Sequence, residues 1–184
     1  MKTIRILLFV VLACCLVTPM TRMYAQTSTQ AAPAEVYNHL MNIMEKEVVS
    51  AADAMPSDKY SFAPTQGEFK GVRNFGSQVK HLAESNYEFF EGWNVPGAVK
   101  EADIEKLTSK DEIMKALRDS YAYAHKAMDS ITATNAFEVM GSGERKSTRA
   151  GLASFCIAHS MDHYGQMVVY LRMNGIVPPA SRKS

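Results

Sequence analysis

The feature that most constrains this chain is the spacing of its apolar residues, which recur alternately at three and four positions. In the segment 109–131 the repeat consists of Met114, Leu117, Tyr121, Ala124, Met128 and Ile131. Because an α-helix turns once in about 3.6 residues, this spacing places an apolar stripe on one helix face. Similar stripes follow residues 33–54 and 75–93, residues 147–174 are apolar nearly throughout, and no segment alternates as a strand does. The pattern predicts an all-α chain folded as a four-helix bundle.

Several helix ends carry residues that favour a start or a stop. Asn74 suits the N-cap of the second helix. The third helix opens with Ser109-Lys110-Asp111-Glu112, a capping box in which serine and glutamate each satisfy an otherwise unpaired backbone N–H. Ser147 or Thr148 is expected to cap the last helix, and Asn174-Gly175 is expected to end it.

Two connections between these helices are long. Residues 56–73 contain Pro64, Gly67 and Gly71 among aromatic residues and show no sustained period. A loop of that length in a compact domain is more often functional than passive, and this one could cover the mouth of a site. The second connection begins where the second helix is expected to end, near Trp93, and runs to residue 108.

The N-terminal segment has the pattern of an export signal. Lys2 and Arg5 precede an apolar run over residues 6–17, which is too short to span a membrane, and Ala25 offers a cleavage point. We therefore expect a signal peptide over 1–25, a disordered leader over 26–32, and a protein located outside the cytoplasm, in the periplasm. The alternatives are a retained amphipathic anchor and a lipoprotein attached through Cys14.

The charge of the remaining chain limits its partners. Three of the 20 Lys and Arg residues lie in segment 1–25 and no acidic residue does, which leaves 17 basic residues against 19 acidic ones. No basic stripe indicates nucleic-acid binding, and no basic amphipathic helix indicates a membrane surface or stable membrane insertion after cleavage. A small-molecule substrate or ligand is the expected partner. A homodimer is possible, since the helices are rich in Met and aromatic residues.

Only one cysteine, Cys156, remains after cleavage, so an intramolecular disulfide is excluded. Cys156 could be a nucleophile or a metal ligand. It lies in a strongly apolar helical segment, where a free cysteine usually behaves as a small hydrophobic residue, and the structural role is favoured.

The last helix carries a pair of histidines that could share a metal ion. A helix that is apolar nearly all round is expected to be central in a bundle. His159 and His163 lie four positions apart, so their side chains differ by about 40° around the helix and about 6 Å along it. Two buried neutral histidines could each be satisfied by a hydrogen bond instead, but a metal would satisfy both at once. His81 on the second helix could face the same point, whereas His39 and His125 are interpreted as ordinary polar residues.

At this point the residues match a known family. The segments Gly67–Lys70, Asn74–His81 and His159–Gln166, continued by residues 171–179, carry the match. Over residues 33–180 the chain resembles the DinB-like family of four-helix metalloproteins. The resemblance implies an up-down-down-up bundle with a long crossover at 93–108. It also implies a divalent metal, zinc or nickel, on His81, His159 and His163.

The sequence contains candidate catalytic residues near the expected metal ligands, but it does not indicate a reaction. Glu84 lies one turn after His81, Asp162 precedes His163, and Gln166 follows it by three positions. Each is a weak candidate for a catalytic role, because exposed carboxylates and amides are usually only solvated.

Two classes of function remain open. One is a metal-dependent transferase or hydrolase that acts on a small molecule. The other is a non-catalytic extracytoplasmic bundle that binds a metal or a ligand. The absence of Cys-x-x-Cys-His argues against a haem bundle, and the absence of paired Glu-x-x-His motifs argues against a ferritin-like di-iron site.

Overall fold

The structure is a computed structural model that describes residues 30–141 and 146–183. Within these ranges it contains five α-helices and one pair of two-residue strands. The predicted signal peptide, residues 1–25, lies outside the described residues, and so do Cys14 and most of the 26–32 leader. The elements in chain order are α1 Pro33–Ala54, α2 Phe75–Glu88, α3 Glu101–Glu105, α4 Lys110–Asp129, β1 Val139–Met140, β2 Ser147–Thr148 and α5 Arg149–Met173.

The helix starts follow the local chemistry of their caps. The Asn74 side chain accepts a hydrogen bond from the backbone N–H of Ser77 at 2.8 Å and begins α2. Ser109 and Glu112 form the expected capping box at the start of α4. Thr148 caps α5 by accepting from the N–H of Gly151. The predicted N-caps of these three helices are confirmed.

The paired residues between helices give the direction of each one. Asn38 near the start of α1 contacts Asp129 at the end of α4, and Lys110 at the start of α4 contacts Asp53 at the end of α1, so α1 and α4 are antiparallel. Asn86 of α2 contacts Ser120 of α4, and Phe90, just beyond α2, contacts Tyr123 further along α4, so these two helices are parallel. Helices α2 and α5 are antiparallel, because Gln78 contacts Gln166 and Asn86 contacts Cys156. The bundle is therefore up-down-down-up, with the predicted long crossover between α2 and α4.

The four long helices enclose one core built from the predicted apolar stripes. Cys156 lies inside it, fully buried, with its Sγ 3.4 Å from Asn86 Oδ1. Among the described residues, no helix is both long and apolar enough to cross a membrane. The largest fully buried side chains are Met41, Met55, Phe75, Leu82, Phe90, Ile104, Leu117, Tyr121, Met128, Ile131, Met167 and Leu171.

The loop 56–73 is fixed against the start of α2. The carbonyl groups of Tyr60 and Phe62 accept hydrogen bonds from the N–H groups of Gly76 and Phe75, which the first turn of a helix leaves unpaired. A Cβ on Gly76 would lie 3.2 Å from the Tyr60 carbonyl oxygen, a tight contact, so glycine at this position favours the close approach of the loop. The Tyr170 hydroxyl holds the end of the loop by donating to the carbonyl of Arg73.

Three features differ from the sequence predictions. Helix α2 ends at Glu88 rather than near Trp93, because the chain tightens into turns before Gly92, whose φ is +78°. The crossover contains the short helix α3, and a strand pair precedes α5. Helix α5 is not central: one face packs on α1 and α2, while Phe155, Met161 and Val169 on the other face are 60%, 56% and 52% exposed.

Candidate metal centre

Three histidines from two antiparallel helices meet at the α2–α5 contact. His81 of α2 and His159 of α5 are half-buried, and His163 is buried. The Nε2 atom of His159 lies 3.2 Å from Nε2 of His81 and 3.1 Å from Nε2 of His163. One ligand nitrogen from each ring lies within 4.8 Å of the others. The structure therefore brings together all three residues that were predicted as metal ligands.

The surroundings of the three rings favour the neutral imidazole. Burial lowers the pKa of His81 and of His163 to about 4, and it also lowers the pKa of His159. The positive charge of Arg73 acts in the same direction on all three rings. Since metal ligation needs an unprotonated ring nitrogen, the site is ready to bind a cation at neutral pH.

The proton count of this cluster fits a metal better than it fits three histidines alone. A neutral imidazole has one N–H and one acceptor nitrogen. Nε2 of His159 faces two other Nε2 atoms, but it can carry only one proton or accept one well-directed hydrogen bond, so one of the two contacts is left unsatisfied. A cation at the meeting point would accept all three lone pairs. The residues present fit a divalent metal.

The second ring nitrogen of His163 is also unpaired. Its Nδ1 atom is buried and has no hydrogen-bond partner within the described residues. A buried unpaired polar group costs about 1–3 kcal/mol, so core stability does not explain a histidine at this position. A metal on Nε2 would leave this Nδ1 atom unpaired as well, so the evidence for a metal is the convergence of the three Nε2 atoms.

A polar chain and an aromatic ring border the histidines. The buried side-chain amide of Gln78 donates to Oε1 of Gln166, and Gln166 Nε2 donates to Asp162 Oδ2 at 3.0 Å. This chain links α2 to α5 at one side of the cluster. At the other side, the ring of Phe89 lies edge-on to the ring of His159, with centroids 5.4 Å apart.

A large cleft opens beside His81. Its volume is about 1170 Å³, enough for a small molecule, and its walls come from α2, the crossover and Tyr123 of α4. Glu84 lines this cleft, and its pKa is raised to about 7, first by burial and then by the nearby charges of Glu101 and Glu105. A carboxyl group with that pKa can hold or release a proton at neutral pH.

The other candidates occupy defined places. Gln166 is exposed, and its side chain contacts Gln78 and Asp162 one turn beyond His163. Asp162 is exposed, and its charge raises the pKa of His159 and His163, but its side-chain hydrogen bond within the described ranges is to Gln166. His39 is exposed, and the His125 ring contacts Asn38 and Glu45, so both are ordinary polar residues.

Sequence reasoning missed the roles of Gln78, Arg73 and Phe89. Gln78 lies one turn before His81, and that spacing was the available signal; its burial, at 2% exposed, is seen only in the structure. The loop 56–73 was expected to cover the mouth of a site. Arg73, at its end, is the one residue of this loop that lines the cleft. Phe89 was assigned only to the apolar stripe.

Comparisons with known proteins agree with this architecture. Residues 40–167 match the family model of the DinB superfamily. A crystal structure of a DinB-like protein from Bacillus cereus ATCC 10987 superposes with a TM-score of 0.66 at 18% identity, covering 79% of this chain and 95% of that one. The DinB-like protein YjoA from Bacillus subtilis gives a TM-score of 0.59 at 16% identity, covering 81% and 99%. No curated protein matches the sequence.

Proposed function

The chain belongs to the DinB superfamily, and from this premise we propose that it is an exported metal-dependent transferase or hydrolase that acts on a small molecule. One divalent ion would be held by His81, His159 and His163. The observation that carries the proposal is the convergence of three neutral imidazole nitrogens on one point, with contacts of 3.1 and 3.2 Å.

The donor set favours zinc or nickel. Both ions bind imidazole readily, whereas magnesium and calcium prefer oxygen ligands. Three protein ligands leave at least one coordination position for another group, as in catalytic zinc sites. A divalent ion in such a site acts as a Lewis acid and lowers the pKa of a water or thiol that binds to it.

The residues around the three histidines would have separate roles in proton transfer, positioning and shielding. Glu84, with its pKa near 7, would take up and return a proton on the cleft side of His81. The Gln78–Gln166 hydrogen bond would hold α2 and α5 in register, so that ligands from two helices keep their spacing. The Phe89 ring would shield the edge of His159 from water.

The cleft favours an enzyme over a passive metal carrier. A carrier needs the ligands but no adjoining space, and here about 1170 Å³ of cleft lies next to His81 with an ionisable carboxyl group inside it. The N-terminal segment supports a location in the periplasm, and we propose that the substrate is encountered there.

The first test is the metal content of the mature chain, residues 26–184, measured by elemental mass spectrometry. We expect about one zinc or nickel ion per chain. His81→Ala and His163→Ala should each lose it, whereas His39→Ala, which alters an exposed histidine away from the cluster, should retain it. A wild-type chain without metal after incubation with both ions would refute the proposal. A chain that keeps its metal in both cluster variants would refute the assignment of ligands.

A further inference from the structure

The side of α5 that faces away from the core, called here the outer face of α5, is largely apolar. Two charged residues, Asp162 and Arg172, are the only ones among the exposed positions of this helix. An apolar surface of this extent on a folded chain is typical of a binding face. The large apolar residues of α5 and of the segment after it that are about half exposed or more are Phe155, Met161, Val169, Met173 and Val177.

The outer face has the spacing of a seam along which two helices pair. Its positions follow one another at alternating intervals of three and four residues: Phe155, Ala158, Asp162, Gly165, Val169 and Arg172. Helices with this spacing pack along one line, because side chains of one helix fill gaps between those of the other. Such a gap exists at Gly165, where an added Cβ would meet no atom within 4 Å. The outer face can therefore receive another helix.

The outer face is complementary to itself when a second α5 runs in the opposite direction. In a dimer with its two-fold axis at the level of Met167, residues equally far from Met167 meet across the axis. The gap at Gly165 then faces the partner's Val169. Met161 faces the partner's Met173, so long apolar side chains also meet. Each of these contacts occurs twice in the dimer.

The two charges on the outer face favour this antiparallel direction. Asp162 and Arg172 are also equally far from Met167, so each meets its opposite on the partner. Within the described ranges their hydrogen bonds are to Gln166 and Ser181, and neither charge has an ion-pair partner. In a parallel pair each charge would meet its own copy and be repelled. A membrane surface fits the face less well, because both charges would have to enter the apolar layer.

The area of the outer face matches what a dimer needs. A stable interface buries about 800 Å² on each partner, and about 65% of a homodimer interface is apolar, which is about 500 Å². The five large apolar residues, at roughly half exposure, present on the order of 500 Å². Ala158, Gly165 and the two charged side chains supply the remainder.

We propose that the protein forms a two-fold symmetric homodimer in which the outer faces of two α5 helices pack antiparallel about Met167. This interface borders the metal centre, because the rings of Phe155 and Phe89 are edge-on with centroids 5.3 Å apart, and Phe89 is edge-on to His159. The partner's chain beyond its own α5 lies over Phe155 and covers the outer side of His159. The outer face is formed without a bound ion, so dimerisation is independent of the proposed activity.

Charge reversal at the two charged positions tests the proposal, with analytical ultracentrifugation of the mature chain as the measurement. At about 50 µM, wild type should sediment as a dimer, since interfaces of this size bind in the micromolar range or more tightly. Asp162→Arg and Arg172→Asp should each weaken dimerisation at least about ten-fold, because like charges then meet. An equal mixture of the two variants should dimerise again, because every charge at the seam then meets an opposite one. The two positions lie about 15 Å apart on one helix, so no contact inside a single chain can produce this rescue.

Two further variants separate the interface from general effects. Asp119→Arg makes the same change of charge at an exposed position of α4, and it should leave the dimer intact. Gly165→Trp should fold, since no atom lies within 4 Å of the added Cβ, but its bulk should keep the two helices apart.

Three outcomes would overturn the proposal. The first is a wild-type chain that stays monomeric at about 50 µM, well above the dissociation constants expected for this area. A monomer of this kind that binds phosphatidylglycerol vesicles would assign the outer face to a lipid surface instead. The second is a pair of charge-reversal variants that dimerise as well as wild type, which would place the contact on another face. The third is a mixture of the two variants that stays monomeric, which would refute the antiparallel register.

Discussion

The side-chain amide of Gln78 on α2 donates a hydrogen bond to Gln166 on α5, directly between the two helices that carry the histidines. Gln78 is 2% exposed, so its amide has little access to water if its partner is removed. We expect Gln166→Ala to lower the free energy of unfolding by about 1–3 kcal/mol, because it leaves this buried donor unpaired.

Urea unfolding of the metal-free protein would measure this loss. Gln66→Ala is the matched control, because Gln66 is an exposed glutamine in the loop 56–73 and its substitution should change stability by less than about 0.5 kcal/mol. Equal effects of the two substitutions would show that the Gln78–Gln166 bond does not stabilise the bundle.

The neutral histidines predict a pH dependence of stability. The folded-state pKa of His81 and His163 is about 4, below the usual 6.5, mainly because of burial. Between these values the unfolded chain binds more protons than the folded one, so the stability of the metal-free protein should rise as pH rises from 4 to 6.5 and then level. Solvent screening limits the contribution of each histidine to about 1 kcal/mol.

Comparison with His81→Gln isolates this contribution, because glutamine is polar and does not titrate. The variant should show a shallower rise between pH 4 and 6.5 in urea unfolding with a chelator present. Parallel curves for wild type and variant would show that His81 is as easily protonated in the fold as in the unfolded chain.

Glu84 predicts the opposite slope. Its folded-state pKa of about 7 lies above its usual 4.5, because of burial first and of Glu101 and Glu105 next. The folded chain therefore binds more protons than the unfolded chain between pH 4.5 and 7, and this residue lowers stability as pH rises through that window. Glu84→Gln should raise the melting temperature at pH 8 and leave it nearly unchanged at pH 4.5. Glu35→Gln is the exposed control. A Glu84→Gln variant whose melting temperature does not rise at pH 8 would contradict a raised pKa for Glu84 in the folded chain.

The parts of the fold that were predictable are those decided by local chemistry. Ser109 and Glu112 satisfy each other's backbone groups within one turn, so their capping box was visible in the sequence and is present. The end of α2 was not visible, since the apolar residues Phe89, Phe90 and Trp93 keep a helical spacing while the chain leaves the helix after Glu88. Spacing reports which residues are buried, and turns can bury them as well as helices do.

The site was predictable to the extent that its ligands share a helix face. His159 and His163 are four residues apart, which fixes their proximity before any tertiary structure is known. Gln78 was not found as their neighbour, because its partner Gln166 is 88 positions away and only the packing of α2 on α5 joins them. The cleft beside His81 was missed for the same reason: α3 lies in a crossover with no readable period, and it supplies Glu101 and Glu105 to the cleft wall.

The final prediction concerns Cys156, which the sequence left open between a reactive and a structural role. The thiol is fully buried, its Sγ contacts Asn86 Oδ1 at 3.4 Å, and burial raises its pKa far above the usual range. The reactive form of cysteine is the thiolate, so the native mature chain should not react with a thiol-specific disulfide reagent at pH 8. After unfolding in guanidinium chloride, one thiol per chain should react. Rapid reaction of the native chain would show that Cys156 is accessible and would restore it as a candidate nucleophile or ligand, whereas a slow reaction that tracks global unfolding would establish it as part of the core.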